Sequence, residues 1–570
     1  MRTGMCAGLA VLMFLLGRAW GEAAAPARGP ILSGPLATLD IKDAEVEAVK
    51  EKPKGTLTIG MHYALDPGWL DPLEHILSQS QQHFDYLVHD AMIKPMPQGV
   101  YTYSLAEHAE MRADFTKAAF RLRQGLTFQD GHPLTTADVK WTYENHKGVN
   151  FKQFHDKLER IEVVDDHTII FHFKEPFVDF LDLYNGGNTG IGWIIPGHYY
   201  ERVGRDGFKA RPLGAGPYKF VSQEAGVQMA FEAWDGYWHR PPGVKAIVVK
   251  GIRDLAARMA GLQTGELDMA YGMTGKLVTR VMGDRNLRWD PNHTSPWFLI
   301  FPGYNAPDSP FHDKRVRQAV SLAINRQFLA KQETQGMGIV WGNWISPENT
   351  GALRGDGTDL PIPEHDAEKA KQLLAAAGYA GGLNLDWFVP YVPYFDMGER
   401  ILTDLGAIGI RGKLQVMEGP ALRTKMAQGH NGFSGNKTIV QNIDPRPGGA
   451  KSLIGTYAVC DSPASFVCEA PIEALWAKHQ ASTDLEERDR LVKAIQRILI
   501  DEYYFVPLYI NAFVHAVGPR VLPTGDGFHR YWDASQSPFP YPWEVWAVKD
   551  GATGTPSAVS GGRPGWRREM

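Results

Sequence analysis

Residues 120–144 read FRLRQGLTFQDGHPLTTADVKWTYE and combine a strand pattern, a turn and a helix start. Four apolar residues alternate toward one side, as in a strand with one buried face: Phe120, Leu122, Leu126 and Phe128. The Asp130-Gly131 pair predicts a turn, because glycine tolerates the backbone conformation that a turn requires. Thr135, with Asp138 three positions later, predicts a helix N-cap. The stretch therefore indicates scaffold more than ligand contact.

Outward from this stretch, strand and helix patterns are mixed along the chain. The strand patterns cover 168–173, 245–250 and 503–514, and the helix patterns cover 253–262, 313–330 and 366–377. A Thr-x-x-Glu capping box at Thr483 begins a further helix. No internal repeat is found. Long mixed stretches without a repeat predict an α/β protein with more than one lobe.

Length and charge limit the class of protein. The chain has 570 residues, of which 44% are hydrophobic, and its net charge is −5. It is therefore too long for one ordinary domain. With no basic stripe along the sequence, we expect no nucleic-acid partner.

The first residues predict export. Arg2 is followed by an apolar run over 7–16 and by small residues over 21–25. This order is typical of a secretory signal peptide, and the run is too short to span a bilayer. We place the signal peptide at 1–25, a flexible leader at 26–55, and a disordered tail at 551–570.

Two cysteines remain after the predicted signal peptide. Cys460 and Cys468 are close in sequence, and in an exported chain such a pair favours a disulfide. The alternative is two buried thiols.

Several passages resemble one family. The 120–144 stretch is similar to the signature of the family 5 extracellular solute-binding proteins, the dipeptide/oligopeptide-binding class of ABC transporter receptors. Two more passages also resemble the family: Arg315 to Arg326 with the preceding Asn305, and HDAEKAKQLLAAAGY at 365–379. The shorter GAGPYKF at 214–220 and the cysteine pair fit as well. The resemblance extends from about residue 56 to 547.

The resemblance implies a two-lobe periplasmic binding protein-like fold (type II, cluster C). Its first lobe is enlarged, and the ligand cleft lies between the lobes. We assign residues 56–298 and 508–547 to lobe I and residues 299–507 to lobe II. The chain then crosses between lobes near 297–304 and near 504–510, which makes a hinge.

The resemblance also suggests ligand-contacting loops. In peptide binders of this class an Asp in the region of Asp444 meets the ligand ammonium, and Arg446 is a candidate for a ligand carboxylate. For both, the alternative is a turn with solvated charges. Asp66 and Trp69 follow the first strand at a place that often faces the ligand, although Trp69 is otherwise explained by core packing. Asn188 in a glycine-rich loop, and Tyr391 and Tyr394 after a lobe II strand, are further candidates.

We expect no metal site and no catalytic site. The histidines at 62, 75, 83 and 89 have spacings that match no compact metal-binding motif. Motifs of metalloproteases, α/β-hydrolases and nucleotide-binding loops are missing from the sequence.

The predicted function is capture of a small solute by lobe closure and its delivery to an ABC transporter permease with its ATPase, with no cofactor. We expect a periplasmic monomer. A peptide is the first choice of ligand, while opines, oligosaccharides and metal chelates stay open. The alternatives are a secreted hydrolase and a periplasmic peptide-binding chaperone or signalling receptor.

Overall fold

The computed structural model describes residues 30–44, 52–74, 79–96, 99–147, 151–184, 191–239, 241–273, 276–347, 349, 351–353, 360, 362–390, 395–417, 419–433, 438–442, 449–522 and 548–549. Its strands are β1 Lys54–Met61, β2 Asp90–Ala91, β3 Ile93–Met96, β4 Gly99–Tyr103, β5 Ala106–Met111, β6 Lys117–Leu122, β7 Leu158–Asp165, β8 Thr168–Phe173, β9 Trp193–Ile194, β10 Tyr218–Glu224, β11 Gln228–Ala233, β12 Val244–Gly251, β13 Met269–Met273, β14 Arg288–Ile300, β15 Ile339–Val340, β16 Leu383–Asn384, β17 Trp387–Val389, β18 Ile410–Arg411, β19 Thr438–Asn442 and β20 Phe505–Val517. Its α-helices are α1 Gln79–Val88, α2 Thr136–Asn145, α3 Phe151–Lys157, α4 Phe180–Tyr184, α5 Gly197–Ala210, α6 Leu255–Thr264, α7 Lys276–Gly283, α8 Lys314–Ala323, α9 Arg326–Thr334, α10 Ala367–Ala376, α11 Phe395–Ala407, α12 Gly419–Met426, α13 Gly449–Tyr457, α14 Ala470–Ala481 and α15 Leu485–Asp501.

One large mixed sheet runs through the molecule in the order β10-β11-β12-β1-β13-β20-β14-β19-β17. β1 lies parallel to β12 and β13, and β17 lies parallel to β19. Between these two parallel groups, β14 and β20 pair antiparallel from Arg288 with Val517 to Ile300 with Phe505. The sheet therefore has a parallel group on each side of one long antiparallel pair.

The hydrophobic core changes along β14 and β20. Buried apolar side chains from Trp297 to Tyr509 form one core. Near the end of β20, Val514 and Val517 pack instead with side chains that precede residue 288. We call the described residues up to 296 and from 514 onward lobe I, and residues 297–509 lobe II. The limits predicted from the sequence, at 298/299 and 507/508, stay predictions, and the core changes beside them.

In the 120–144 stretch of lobe I, the turn and the helix cap fold as predicted, whereas the strand ends at Leu122. Its strand β6 belongs to a four-stranded sheet in the order β5-β6-β8-β7. The four alternating apolar side chains are buried. Gly131 has a φ of 87°, in the region that favours glycine. Thr135 and Asp138 form the predicted capping box at the start of α2.

The leader predicted as flexible over 26–55 differs in the structure. Residues 30–44 form an extended arm along lobe I, and β1 begins at Lys54, inside the predicted leader. The Glu110 carboxylate accepts hydrogen bonds from the backbone N–H groups of Ile31 and Leu32, at 2.9 and 2.7 Å. The Lys42 backbone N–H donates to Tyr101 O at 2.9 Å. Backbone pairing with an exposed strand edge orders the arm, and an Ala- and Pro-rich composition gives no sign of it.

The predicted disulfide joins Cys460 and Cys468 in lobe II, between α13 and α14. The Cys468 backbone N–H donates to the Tyr304 hydroxyl at 3.1 Å, which ties the disulfide loop to the lobe II core. The predicted signal peptide at 1–25 and the predicted tail at 551–570 lie outside the described residues.

Candidate ligand-binding cleft

Strand direction brings the carboxyl ends of both parallel groups beside the middle of β14 and β20. β13 pairs with β20 from Val517 toward Val514, so it runs from the far end of lobe I toward the middle of β20. β19 pairs with β14 from Ile300 toward Phe298, so it runs from the far end of lobe II toward the middle of β14. β1 and β17 are parallel to these strands and share their directions. Strand ends of the two lobes therefore point toward each other.

This arrangement marks the place where a ligand fits. In open α/β sheets, ligands bind beyond the carboxyl ends of the strands. β1 ends at Met61 and β13 at Met273 on the lobe I side. β17 ends at Val389 and β19 at Asn442 on the lobe II side. We call the region between these ends the cleft.

Aromatic rings gather at the lobe I side of the cleft. The Tyr271 ring of β13 stacks on the His515 ring of β20 with centroids 4.5 Å apart, and the His62 ring lies 5.0 Å from Tyr271. Tyr63 contacts His62 edge-on, and its hydroxyl is 3.3 Å from His83 Nδ1. We call these five residues the histidine–tyrosine cluster. His62 and Tyr63 are partly exposed, whereas the other three are buried.

The histidine–tyrosine cluster is uncharged near neutral pH. Burial, and secondarily the nearby Arg258 charge, lower the pKa of His62 to about 3. Burial, followed by repulsion from neighbouring imidazoles, lowers the pKa of His83 and of His515 well below the ordinary value. Neutral imidazoles and phenols present ring faces and hydrogen-bonding atoms together. This side of the cleft therefore suits an uncharged part of a ligand, such as a flat ring or an apolar group that carries a single polar atom.

Arg258 of α6 holds the backbone under the cluster. Its guanidinium donates to the carbonyl oxygens of Ile252, Arg253 and Gly272 at 2.5, 3.0 and 3.1 Å. Gly272 has a φ of 64°, and a Cβ there would lie 3.3 Å from His62 Nδ1. The positive φ therefore favours glycine, and a Cβ would press on the imidazole next to it.

The comparisons with known proteins bear on this cleft. Residues 101–448 match the model for bacterial extracellular solute-binding proteins, family 5, middle part. That match covers more than half of the chain. The chain belongs to this family. It is a solute-binding protein of the ABC transporter class, a family without enzymatic activity, and the expected fold and function class are confirmed.

Individual relatives agree with the family match. The solute-binding protein is 25% identical to the dipeptide-binding protein of Escherichia coli over 442 residues, which covers 70% of the chain and 78% of the relative. It is 26% identical to heme-binding protein A of Haemophilus influenzae over 460 residues, covering 73% and 80%. Its fold matches the periplasmic binding protein DppA from Helicobacter pylori in complex with peptide STSA. That match has a TM-score of 0.72 and 20% identity, and it covers 87% of the chain and 98% of the other.

Two of the predicted site residues lie beside the cluster. Asp66 and Trp69 belong to the turn that follows β1, where the exposed Asp66 carboxylate accepts from the Gly68 N–H at 2.8 Å. The Trp69 indole is only 8% exposed and packs between Tyr63, at 5.2 Å, and Phe84, at 5.9 Å. Core packing therefore describes the surroundings of Trp69, and ligand contact stays a prediction for both residues.

The other predicted site residues lie outside the part of the chain that the structure describes: Asn188, Tyr391, Tyr394, Asp444 and Arg446. Their chain positions are informative nonetheless. Tyr391 and Tyr394 follow the carboxyl end of β17, and Asp444 and Arg446 follow that of β19. Both strand ends point toward the cleft.

Sequence reasoning missed Tyr271 and His515 and set aside His62 and His83 with the metal question. His89, from the same set of histidines, lies apart and stacks on Phe208. Among the described residues, no group of three or more His, Cys, Asp or Glu side chains is arranged to hold a metal ion. Nor does any helix in those residues have the length and apolar character needed to cross a bilayer.

Proposed function

We propose that this solute-binding protein captures a small peptide in the cleft by closing its lobes, and delivers the peptide to an ABC transporter permease. The observation that carries the proposal is the set of strand ends that point toward each other from two lobes, joined by β14 and β20. Two long paired strands form a bending joint between separately packed bodies. The lobe limits 298/299 and 507/508 are part of this proposal.

The chemistry of the ligand follows from the two sides of the cleft. The histidine–tyrosine cluster on lobe I is neutral, so charged ends of a ligand need partners elsewhere. Asp444 and Arg446 follow β19 and supply one charge of each sign, which matches the ammonium and carboxylate of a short peptide. Closure removes water and strengthens both contacts. Asp66, Trp69, Asn188, Tyr391 and Tyr394 complete the proposed wall.

The relatives support the ligand class without fixing it. One relative is named for dipeptides and one fold neighbour holds a peptide, whereas another relative is named for haem. We propose that the protein reaches the periplasm through the signal peptide at 1–25 and works there as a monomer. Its partners are then the permease and, across the membrane, the ATPase that drives import. No nucleic acid takes part.

A binding experiment tests the ligand. Small molecules released from the natively purified protein are identified by mass spectrometry, and the ligand-free protein is melted with dipeptides, tripeptides, free amino acids or haem. A ligand present at about 100 times its Kd stabilises the folded protein by about 2.7 kcal/mol, so a saturable rise in melting temperature is expected with short peptides. Peptides that are consumed during incubation would favour a secreted hydrolase, and haem alone raising the melting temperature would overturn the peptide proposal.

Matched variants test the charged ends. Asp444→Asn and Arg446→Gln are each expected to weaken dipeptide binding about tenfold or more, since hydrogen bonds to charged groups contribute about 1.5–3 kcal/mol. Asp461→Asn removes an exposed carboxylate from the disulfide loop of the same lobe and serves as the control. Equal affinities in all three variants would exclude Asp444 and Arg446 as ligand contacts.

A further inference from the structure

A cluster of four charged side chains connects the two lobes without using the hinge strands. Asp179 and Asp182 belong to lobe I, whereas Lys451 of α13 and Arg488 of α15 belong to lobe II. Arg488 Nη2 lies 2.7 and 2.6 Å from the two Asp179 carboxylate oxygens. Lys451 Nζ lies 2.6 Å from Asp179 Oδ1 and also pairs with Asp182. We call these four residues the interlobe ion cluster.

Each half of the interlobe ion cluster is held by its own lobe. Arg488 Nη1 donates to the backbone carbonyls of His479 and Ser482 in lobe II. In lobe I, the Tyr101 hydroxyl donates to the Asp182 carboxylate. These contacts do not cross between lobes, so they persist when the lobes separate. Arg488 and Asp182 are therefore held in position before the lobes meet, which reduces the entropy lost on contact.

The electrostatic coupling within the cluster is strong. Burial would raise the pKa of Asp179, but Lys451 and Arg488 outweigh burial and hold that pKa far below its usual range. Burial would likewise lower the pKa of Lys451, and Asp182 with Asp179 raises it instead. Two negative and two positive groups balance, so the contact leaves no net charge in a partly buried place.

We propose that the interlobe ion cluster is a latch, which holds the lobes together in the absence of ligand and so sets the balance between open and closed forms. The inference rests on the proposed lobe closure. A rotation that moves the two lobes apart at this contact separates Asp179 and Asp182 from Lys451 and Arg488. Because a ligand shifts a pre-existing equilibrium, the latch determines how much of the ligand's binding energy is spent on closure.

The test measures the open and closed populations directly, without ligand. Spin labels are attached at Glu175→Cys in lobe I and Arg490→Cys in lobe II, both exposed positions near the cluster in sequence. Bound solute is removed by dialysis in urea followed by refolding. Pulsed dipolar spectroscopy then gives the distribution of distances between the labels. We expect a short-distance population in the parent protein that decreases as salt rises from 0.05 to 1 M, because salt screens partly exposed charges.

Lys451→Met is the decisive variant. It is expected to lower the ratio of short to long distances about fivefold to tenfold, between the effects of breaking an exposed and a buried ion pair. Lys250→Met is the matched control: Lys250 has the same exposed fraction of 28% as Lys451, but its partner Glu266 is in the same lobe. Asp179→Asn should change the ratio less when it is introduced into Lys451→Met than when it is introduced into the parent protein, because the two residues are coupled.

Other outcomes separate the latch from the proposed function. Only long distances in the parent protein, or an unchanged ratio in Lys451→Met, would overturn the latch. If Lys451→Met melts at a lower temperature than the parent protein, Asp182→Asn takes its place in the experiment. In Asp182→Asn, the Tyr101 hydroxyl can still donate to the side-chain oxygen. If a dipeptide still closes Lys451→Met, capture by closure stands whatever the latch does. If Lys451→Met opens the protein and no peptide binds, the latch stands and the peptide proposal fails.

Discussion

The substitution Lys94→Met measures how far lobe I depends on one buried ion pair. Lys94 Nζ lies 2.8 Å from the Asp90 carboxylate, and both side chains are buried. Asp90 also accepts hydrogen bonds from Ser104 Oγ at 2.6 Å, Trp238 Nε1 at 2.7 Å and the Tyr237 hydroxyl at 2.9 Å. Burial would raise the pKa of Asp90, but Lys94 outweighs burial and holds that pKa below its ordinary value. The carboxylate is therefore charged, and the substitution removes the lysine that is paired with it.

The expected loss is large for one side chain. Removing one member of a buried ion pair costs about 3–5 kcal/mol. Four donors still face Asp90, namely the Ser104, Trp238 and Tyr237 side chains and the Ala91 backbone N–H at 2.8 Å. We therefore expect a loss near the lower end, about 3 kcal/mol in the free energy of unfolding at pH 7. At about 2–4 °C per kcal/mol, the melting temperature falls by about 6–12 °C. Urea unfolding followed by tryptophan fluorescence measures the loss.

The pH dependence and two controls make this prediction specific. In Lys94→Met the loss should shrink as pH falls from 7 to 5, because protonation of Asp90 removes the buried charge. Asp90→Asn combined with Lys94→Met should recover at least half of the stability. Lys140→Met, which removes an exposed and weakly paired lysine, should cost under about 1 kcal/mol. The reasoning would be refuted if Lys94→Met lowered the free energy of unfolding by less than about 1 kcal/mol, or if the loss did not change with pH.

Three further predictions concern pH, the disulfide and the cleft. Because burial lowers the pKa of His89 to about 4, the unfolded state binds protons first on acidification. The free energy of unfolding should fall between pH 6.5 and 4, by about 3 kcal/mol from His89 alone, and His89→Gln should remove that share of the fall while the other buried histidines keep theirs. Cys460→Ser with Cys468→Ser should cost about 2–3 kcal/mol through loop closure, and reducing agent should then leave the melting temperature of the variant unchanged while lowering that of the parent. Gly272→Ala should weaken ligand binding about tenfold by displacing His62 and should cost about 1–2 kcal/mol in stability, whereas Gly283→Ala, which has open space at its Cβ, should leave affinity unchanged.

Local patterns predicted the elements whose signals lie within a few residues. The strand predicted at 168–173 is β8 over those same residues. The helix predicted over 366–377 is α10, with Asp366 as its N-cap and Gly378 at a φ of 92° after its end. Each of these signals is an alternation, a cap or a stop whose physical cause is local. The tertiary structure therefore keeps these two elements as their local signals predict them.

Predictions failed where two local signals competed. The capping box predicted at Thr483 is wrong, because Asp484 is the N-cap of α15 and accepts from the Glu486 and Glu487 N–H groups. The single helix pattern over 313–330 is two helices, because Asn325 caps the second one through the Phe328 N–H. In both places an Asx side chain captured backbone donors that the apolar period had assigned differently.

The candidate site was predictable only where it follows a strand in sequence. Asp66 was predicted as a ligand contact because it lies in the turn that follows β1, and it stays a prediction. His515 was not, because it reaches the cluster only through the pairing of β20 with β13, between residues more than two hundred positions apart in the chain. Pairing partners at that separation leave no local pattern, and a lone histidine in an apolar strand indicates core packing as readily as a site.

The latch has to be weak if capture is to work, and the structure is consistent with that requirement. A latch that favoured the closed form about tenfold would leave roughly one molecule in ten open, and the rate of ligand entry would fall by the same factor. A fully buried ion cluster would favour the closed form by more than this factor of about ten, since breaking it leaves unpaired buried charges. Here Asp179 and Lys451 keep about a quarter of their surface exposed, so water reaches both when they part. Partial exposure therefore limits the strength of the latch, so that enough molecules stay open for a ligand to enter.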